Sequence, residues 1–120
     1  MKTAVIILTD TRSNSDEAVG RVVSALAVAH EHQRAGETVR VIFGGAGTRW
    51  PAVLGQPSHP VHGLYQAVSG SVAGLSCGCV GHFEADDQGL PHLADNAVPG
   101  TPGFPSYLAL QREGFQILTF

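Results

Sequence analysis

The 120 residues contain only two cysteines, one methionine and one tryptophan, and charged side chains make up just 14%. The two cysteines, Cys77 and Cys79, stand two positions apart, which excludes the long-range staples of small secreted domains and makes a reducing cytoplasm the expected compartment. Lys and Arg together number seven against ten Asp and Glu, a formal charge of −3, and they form no cluster that could track a phosphate backbone. Nucleic acid is therefore not an expected partner. No apolar run approaches the length of a membrane span. The opening run Ala4 to Leu8 is cut short by Thr9-Asp10-Thr11-Arg12, so it reads as a first strand and not as an export signal. No repeat and no low-complexity tract is present, and 43% hydrophobic residues suffice for a single domain over residues 1–120.

Alternating strand and helix signals fill most of that length. After the first strand, Asn14 and Glu17 have capping-box spacing and predict a helix from near Asp16. Val19, Val22, Val23, Leu26 and Ala29 give it one apolar stripe, and Gly36 sits where a left-handed cap ends it. Thr38 to Phe43 is a β-branched second strand running into a flexible Gly44-Gly45-Ala46-Gly47 loop. Ser58 and Pro60 open a second helix through Val61, Leu64, Tyr65 and Val68, closed at Gly70, and Ser71 to Ser76 is a third strand delivering the chain to Cys77-Gly78-Cys79. A short helix is expected over Val80 to Ala85. Residues 86–104 show no period and read as a long loop, a functional cover or a mobile segment, with Pro99-Gly100 and Pro102-Gly103 shaping type II turns. A helix from Tyr107 to Glu113 and a closing strand from Phe115 to Phe120 complete the order. That order predicts an α/β fold with a mostly parallel sheet and right-handed crossovers. Ligands of such sheets gather beyond the carboxyl ends of the strands, where Thr9–Ser15, Gly44–Trp50 and Cys77–Cys79 are expected to converge.

The cysteines are the candidate reactive groups. A thiol near a helix N-terminus is stabilised as the thiolate, which places Cys79 as the nucleophile, with Cys77 close enough for a strained, labile disulfide. His82 lies one helical turn past Cys79, where it either bonds the thiolate or faces solvent. Cys77, Cys79 and His82, with His59, His62 or His92, are the alternative donors of a metal site, although a single C-x-C is poor zinc spacing. The glycines after the second strand lack the spacing of a phosphate cradle, and no pattern calls for a cofactor. Arg49 and Trp50 are expected to wall the cysteines, and Asp10 and Arg12 to contact substrate or form a salt bridge or cap.

Thr9 to Asp16 leading into an Ala/Val-rich helix, the run Gly36-x-x-Val39-x-Val41-Ile42-Phe43-Gly44-Gly45-Ala46-Gly47, and the strand entering Cys77-x-Cys79 resemble the DsrE/DsrF-like family over roughly residues 3 to 85. The segment Glu84-Ala85-Asp86-Asp87-Gln88-Gly89 departs from the Arg-Gly that often follows the cysteine helix in that family. The resemblance implies a three-layer, flavodoxin-like sheet of four to five strands. It also implies a homo-oligomer, and a sulfur-relay role of sulfurtransferase type in which Cys79 or Cys77 carries sulfane sulfur as a persulfide between donor and acceptor proteins or small sulfur compounds. The competing expectation is a non-enzymatic binding or assembly module, its cysteines packed and Trp50, Phe104 and Tyr107 serving as contact anchors, or a Cys/His metal-binding protein.

Overall fold

The first strand, β1 (Lys2–Ile7), is buried from Thr3 onward on both faces, as its unbroken apolar run requires of a strand covered by helices on either side. The computed structural model describes residues 1–13 and 15–120. In it, β1 is followed by α1 (Asp16–Arg34), β2 (Thr38–Phe43), α2 (Trp50–Leu54), α3 (His62–Val68), β3 (Val72–Ser76), α4 (Cys77–His82), β4 (His92–Leu93), α5 (Tyr107–Arg112) and β5 (Phe115–Thr119). All pairings are parallel, and the five strands lie in the order β4-β3-β2-β1-β5.

This order dictates the layers. From β1 to β4 each crossover steps in one direction, so right-handed connections put α1 to α4 on one face. The return from β4 across the sheet to β5 puts α5 on the other. The first face buries Val5, Ile7, Val41, Phe43 and Leu75 against Val22, Leu26, Trp50, Leu54 and Val68. The second buries Ala4, Ile6 and Ile42 against Leu110 and Phe115. The result is the expected α/β architecture, a five-stranded parallel sheet in three flavodoxin-like layers, with the topological switch between β3 and β4, whose carboxyl ends lead to α4 and α5 on opposite faces.

Several local expectations shift. The Asn14 capping box lies outside the described residues; α1 is capped by Ser15, whose Oγ accepts from the Ala18 N–H at 3.1 Å. The buried stripe of α1 is Ala18, Val22, Ala25, Leu26 and Ala29, while Val19 is 40% exposed, because small alanines let the helix lie close against the sheet. The glycine segment after β2 is a 3-10 turn, Gly45–Arg49, running straight into α2, with Pro51 in the first turn where its missing N–H costs nothing. Ser58 does not cap α3. Val61 stands at that position, its N–H donated to the His59 ring at 3.1 Å.

Two further changes move the chemistry. The helix after β3 begins at Cys77 and not at Val80, so both cysteines occupy its first turn. The long loop contains a fifth strand: His92 and Leu93 pair with Leu75 and Ser76, and an antiparallel bridge between Asn96 and Phe104 closes a Pro/Gly arch. Two residues after a proline carry no periodic signal, which is why only tertiary pairing reveals β4.

Gly74 makes that pairing sterically feasible. Its φ is +150°, and a Cβ there would overlap the Pro91 carbonyl, the group that accepts from the Leu75 N–H at 2.9 Å. Gly74→Ala is expected to cost about 1 to 3 kcal/mol in backbone strain and to loosen β4. Denaturant unfolding measures the first effect, and faster amide exchange at Leu75 reports the second; an unchanged Leu75 amide would contradict it.

Candidate functional site

Strand β3 ends inside the sheet and hands the chain directly to α4, so the turn between them is held on both sides by paired strands, β2 and β4. Cys77 and Cys79 are free thiols, both half-buried. Neither is sealed in the core. Residues two apart on a helix are rotated by about 200° and do not face each other. The expected meeting of the two sulfurs therefore gives way to two separate environments.

Cys77 faces β4. Its Sγ lies 3.7 Å from Nδ1 of His92, and Nε2 of the same ring lies 2.7 Å from Oδ2 of Asp87. A carboxylate at Nε2 holds the ring with its proton on that nitrogen, leaving Nδ1 as an acceptor aimed at the thiol. Asp87 is itself fixed: its Oδ1 accepts the Gly89 N–H at 2.8 Å. That backbone hydrogen bond, then the bond from His92, hold its carboxyl below the usual carboxylate range. The sequence marked His92 only as a spare metal donor and passed over Asp87. The signal present was an acidic residue and a histidine five positions apart in a loop that follows C-x-C.

Cys79 faces the opposite way. It lines a cleft with Gly78, His82, Phe83 and Phe104, and it lies near Tyr107 at the start of α5. Burial pushes the Tyr107 phenol up, and negative charge on Cys79 adds to the effect. His82 is exposed and packs edge-on against Phe83 at 4.8 Å between ring centres. The imidazole set against a cysteine sulfur is thus that of His92.

The other candidates form a separate assembly. Arg49 donates from Nη1 to Asp10 at 3.2 Å and from Nε to the Phe83 carbonyl at 3.1 Å, with its guanidinium over the Phe83 ring. Asp10 accepts the Arg12 N–H at 3.0 Å; that bond first, then Arg49, lower its carboxyl. These contacts tie the loop after β1 and the turn after β2 to the end of α4 at Phe83, and not to the Cys77–Cys79 turn where the three loops were expected to meet. Trp50 is not a wall of the site. It is 3% exposed and donates from Nε1 to the Thr9 carbonyl at 2.6 Å, a core anchor, because α2 turns its ring inward. Beyond the carboxyl ends of β1 and β5 lies a cavity of about 370 Å³ lined by Leu8, Thr9, Arg21, Thr119 and Phe120, with neither cysteine nor histidine among these residues. Among the described residues, no three His, Cys, Asp or Glu side chains gather to hold a metal ion. His59 and His62 instead make local bonds, His62 Nδ1 to the Leu54 carbonyl at 2.8 Å.

The arrangement around Cys77 is a thiol, a base and an orienting carboxylate, the set that generates a nucleophile near neutral pH. His92→Gln is expected to slow alkylation of Cys77 by iodoacetamide at neutral pH about tenfold, and Asp87→Asn to slow it less. The Asp87 carboxyl is lower in the folded chain than in the unfolded one. Its contribution to the folded loop is therefore present above the unfolded value of about 3.9 and lost as the pH falls through its lower folded value. The alkylation profile of the wild type between about pH 5 and pH 9 should accordingly show no step from Asp87. Peptide mapping by mass spectrometry separates Cys77 from Cys79, and equal rates in all three proteins would remove His92 from the site.

No protein-family model, no curated protein and no solved structure matches the chain, and the reading of the site rests on this geometry.

Proposed function

We propose that the protein is a sulfur carrier that holds sulfane sulfur as a persulfide on Cys77. The observation that carries this reading is the Cys77 sulfur set against a His92 ring braced by Asp87. In the step envisaged, the Cys77 proton passes to Nδ1 of His92 and the thiolate attacks the outer sulfur of a donor R–S–SH. The donor S–S bond breaks, a Cys77 S–S bond forms, and R–S⁻ leaves with the proton held by the imidazolium. Atoms and electrons balance with no external oxidant.

Acyl transfer is the competing use of a cysteine, histidine and aspartate on an α/β sheet, and one contact disfavours it. Such enzymes stabilise the oxyanion with the N–H of the residue after the nucleophile. Here that residue is Gly78, and its N–H is donated to the Gly103 carbonyl at 2.6 Å. Sulfur transfer develops no oxyanion and does without that donor.

The resemblance of the glycine run and the strand-end cysteines to the DsrE/DsrF-like family agrees with this role. Free thiols suit a reducing cytoplasm, and the reading extends to donor and acceptor proteins as partners and to a homo-oligomer. Leu108 at 55% exposure and Leu118 at 37% offer apolar surface for such contacts.

Incubation with inorganic polysulfide, followed by intact mass measurement, is expected to add the mass of one sulfur atom on Cys77. Cys77→Ser should lose that adduct, and His92→Gln should form it roughly a hundredfold more slowly. Absence of any adduct on the wild type, or an undiminished adduct after both cysteines become Ser, would end this reading.

A further inference from the structure

We propose that the cleft beside Cys79 is a second sulfur station, separate from the Cys77 relay, that takes sulfur from a small persulfide whose organic group is uncharged, apolar and ring-sized. The proposal rests on the persulfide reading and adds the class of compound that reaches Cys79.

The cleft has a volume of about 420 Å³, within the range of small-molecule sites. Its walls are α4 and the arch over residues 100–104, and Cys77 is not among its lining residues. The arch is bonded in place. Gly78 N–H reaches the Gly103 carbonyl at 2.6 Å, and Asn96 and Phe104 exchange N–H···O bonds of 2.7 and 3.1 Å. Gly78 permits that close approach, since a Cβ there would press on the Gly103 carbonyl at 3.0 Å and the Phe104 ring at 3.1 Å. The cleft is thus formed before any ligand arrives, which lowers the ordering cost of binding.

Its chemistry selects the ligand. Phe83, Phe104 and Pro102 supply apolar surface, the exposed His82 is the one imidazole in the lining, and among the described residues no Asp, Glu, Lys or Arg lines it. The Thr101 hydroxyl is already engaged, donating to the Val98 carbonyl at 2.9 Å and accepting the Gly103 N–H at 3.1 Å. A carboxylate entering the cleft would lose water and face the Cys79 thiolate, with only the exposed, solvated ring of His82 to offset the cost. An aromatic or alkyl group gains contact with two rings. In the transfer, the Cys79 thiolate attacks the outer sulfur of R–S–SH, the donor S–S bond breaks, and R–S⁻ takes up the proton that Cys79 released. The products are the Cys79 persulfide and R–SH.

The test uses Cys77→Ser, in which Cys79 is the sole thiol, with benzyl hydropersulfide as the apolar donor and cysteine hydropersulfide as the charged one. Rates are normalised to those of the same chain unfolded in denaturant. The benzyl donor is expected to modify Cys79 about tenfold faster than the charged donor. Gly81→Leu in the same background should abolish that preference, because Gly81 lines the cleft and has open space around its Cβ position, so a leucine there is expected to occupy room that the ligand needs. Binding of unreactive benzyl alcohol, read from amide chemical shifts of residues 78–83 and 100–104, is expected in the wild type and lost in Gly81→Leu. Equal normalised rates, or no shift with benzyl alcohol, would overturn the proposal. If benzyl alcohol binds while neither cysteine takes sulfur from any donor, the carrier reading and the Cys79 sulfur station both fall, and only apolar binding in the cleft survives.

Discussion

A strand of two residues has almost no stability alone, yet the pairing of His92 and Leu93 with Leu75 and Ser76 sets the geometry of the reactive end of the sheet. It places the His92 ring against the Cys77 sulfur, and the arch that follows β4 closes over α4. The pairing depends in turn on a backbone position that only glycine fills, Gly74, where the Pro91 carbonyl lies in the space of a side chain. Core packing, strand register and thiol chemistry are therefore linked through one short edge.

The helical phase of α4 then separates the two thiols. With Cys77 at its first position and Cys79 at its third, one turn of backbone hydrogen bonds sends the sulfurs to different sides. A direct bond between them would require that turn to unwind. A pair that reads in sequence as a redox couple thus becomes two sites with different neighbours: an imidazole and a carboxylate for Cys77, and aromatic rings for Cys79. Gly78 between them serves both, since its N–H holds the arch and its missing side chain leaves room for Phe104.

Much of the architecture was legible beforehand because it rests on local signals. The apolar run of β1, the β-branched run of β2 and the long amphipathic α1 are periodic patterns that survive folding. The cysteines at the end of β3 were legible for the same reason. The position of Arg49 and Trp50 after the glycine run suggests walls of the cysteine site, but α2, too short to show a period, turns Trp50 into the core and leaves Arg49 bonding Asp10 and the Phe83 carbonyl. Spacing along a helix starting at Val80 favours His82 over His92, but the helix starts three residues earlier, at Cys77.

Taken alone, the sequence determined the class of fold and the place of the two thiols at the end of a strand, because strand and helix periods and the position of a cysteine are properties of neighbouring residues. Only the tertiary structure decided which imidazole serves which sulfur. Asp87 and His92 come to Cys77 through a parallel strand pairing across fifteen residues of chain, between Cys77 and His92, and no local pattern encodes a contact made by the return of a distant segment to a sheet edge.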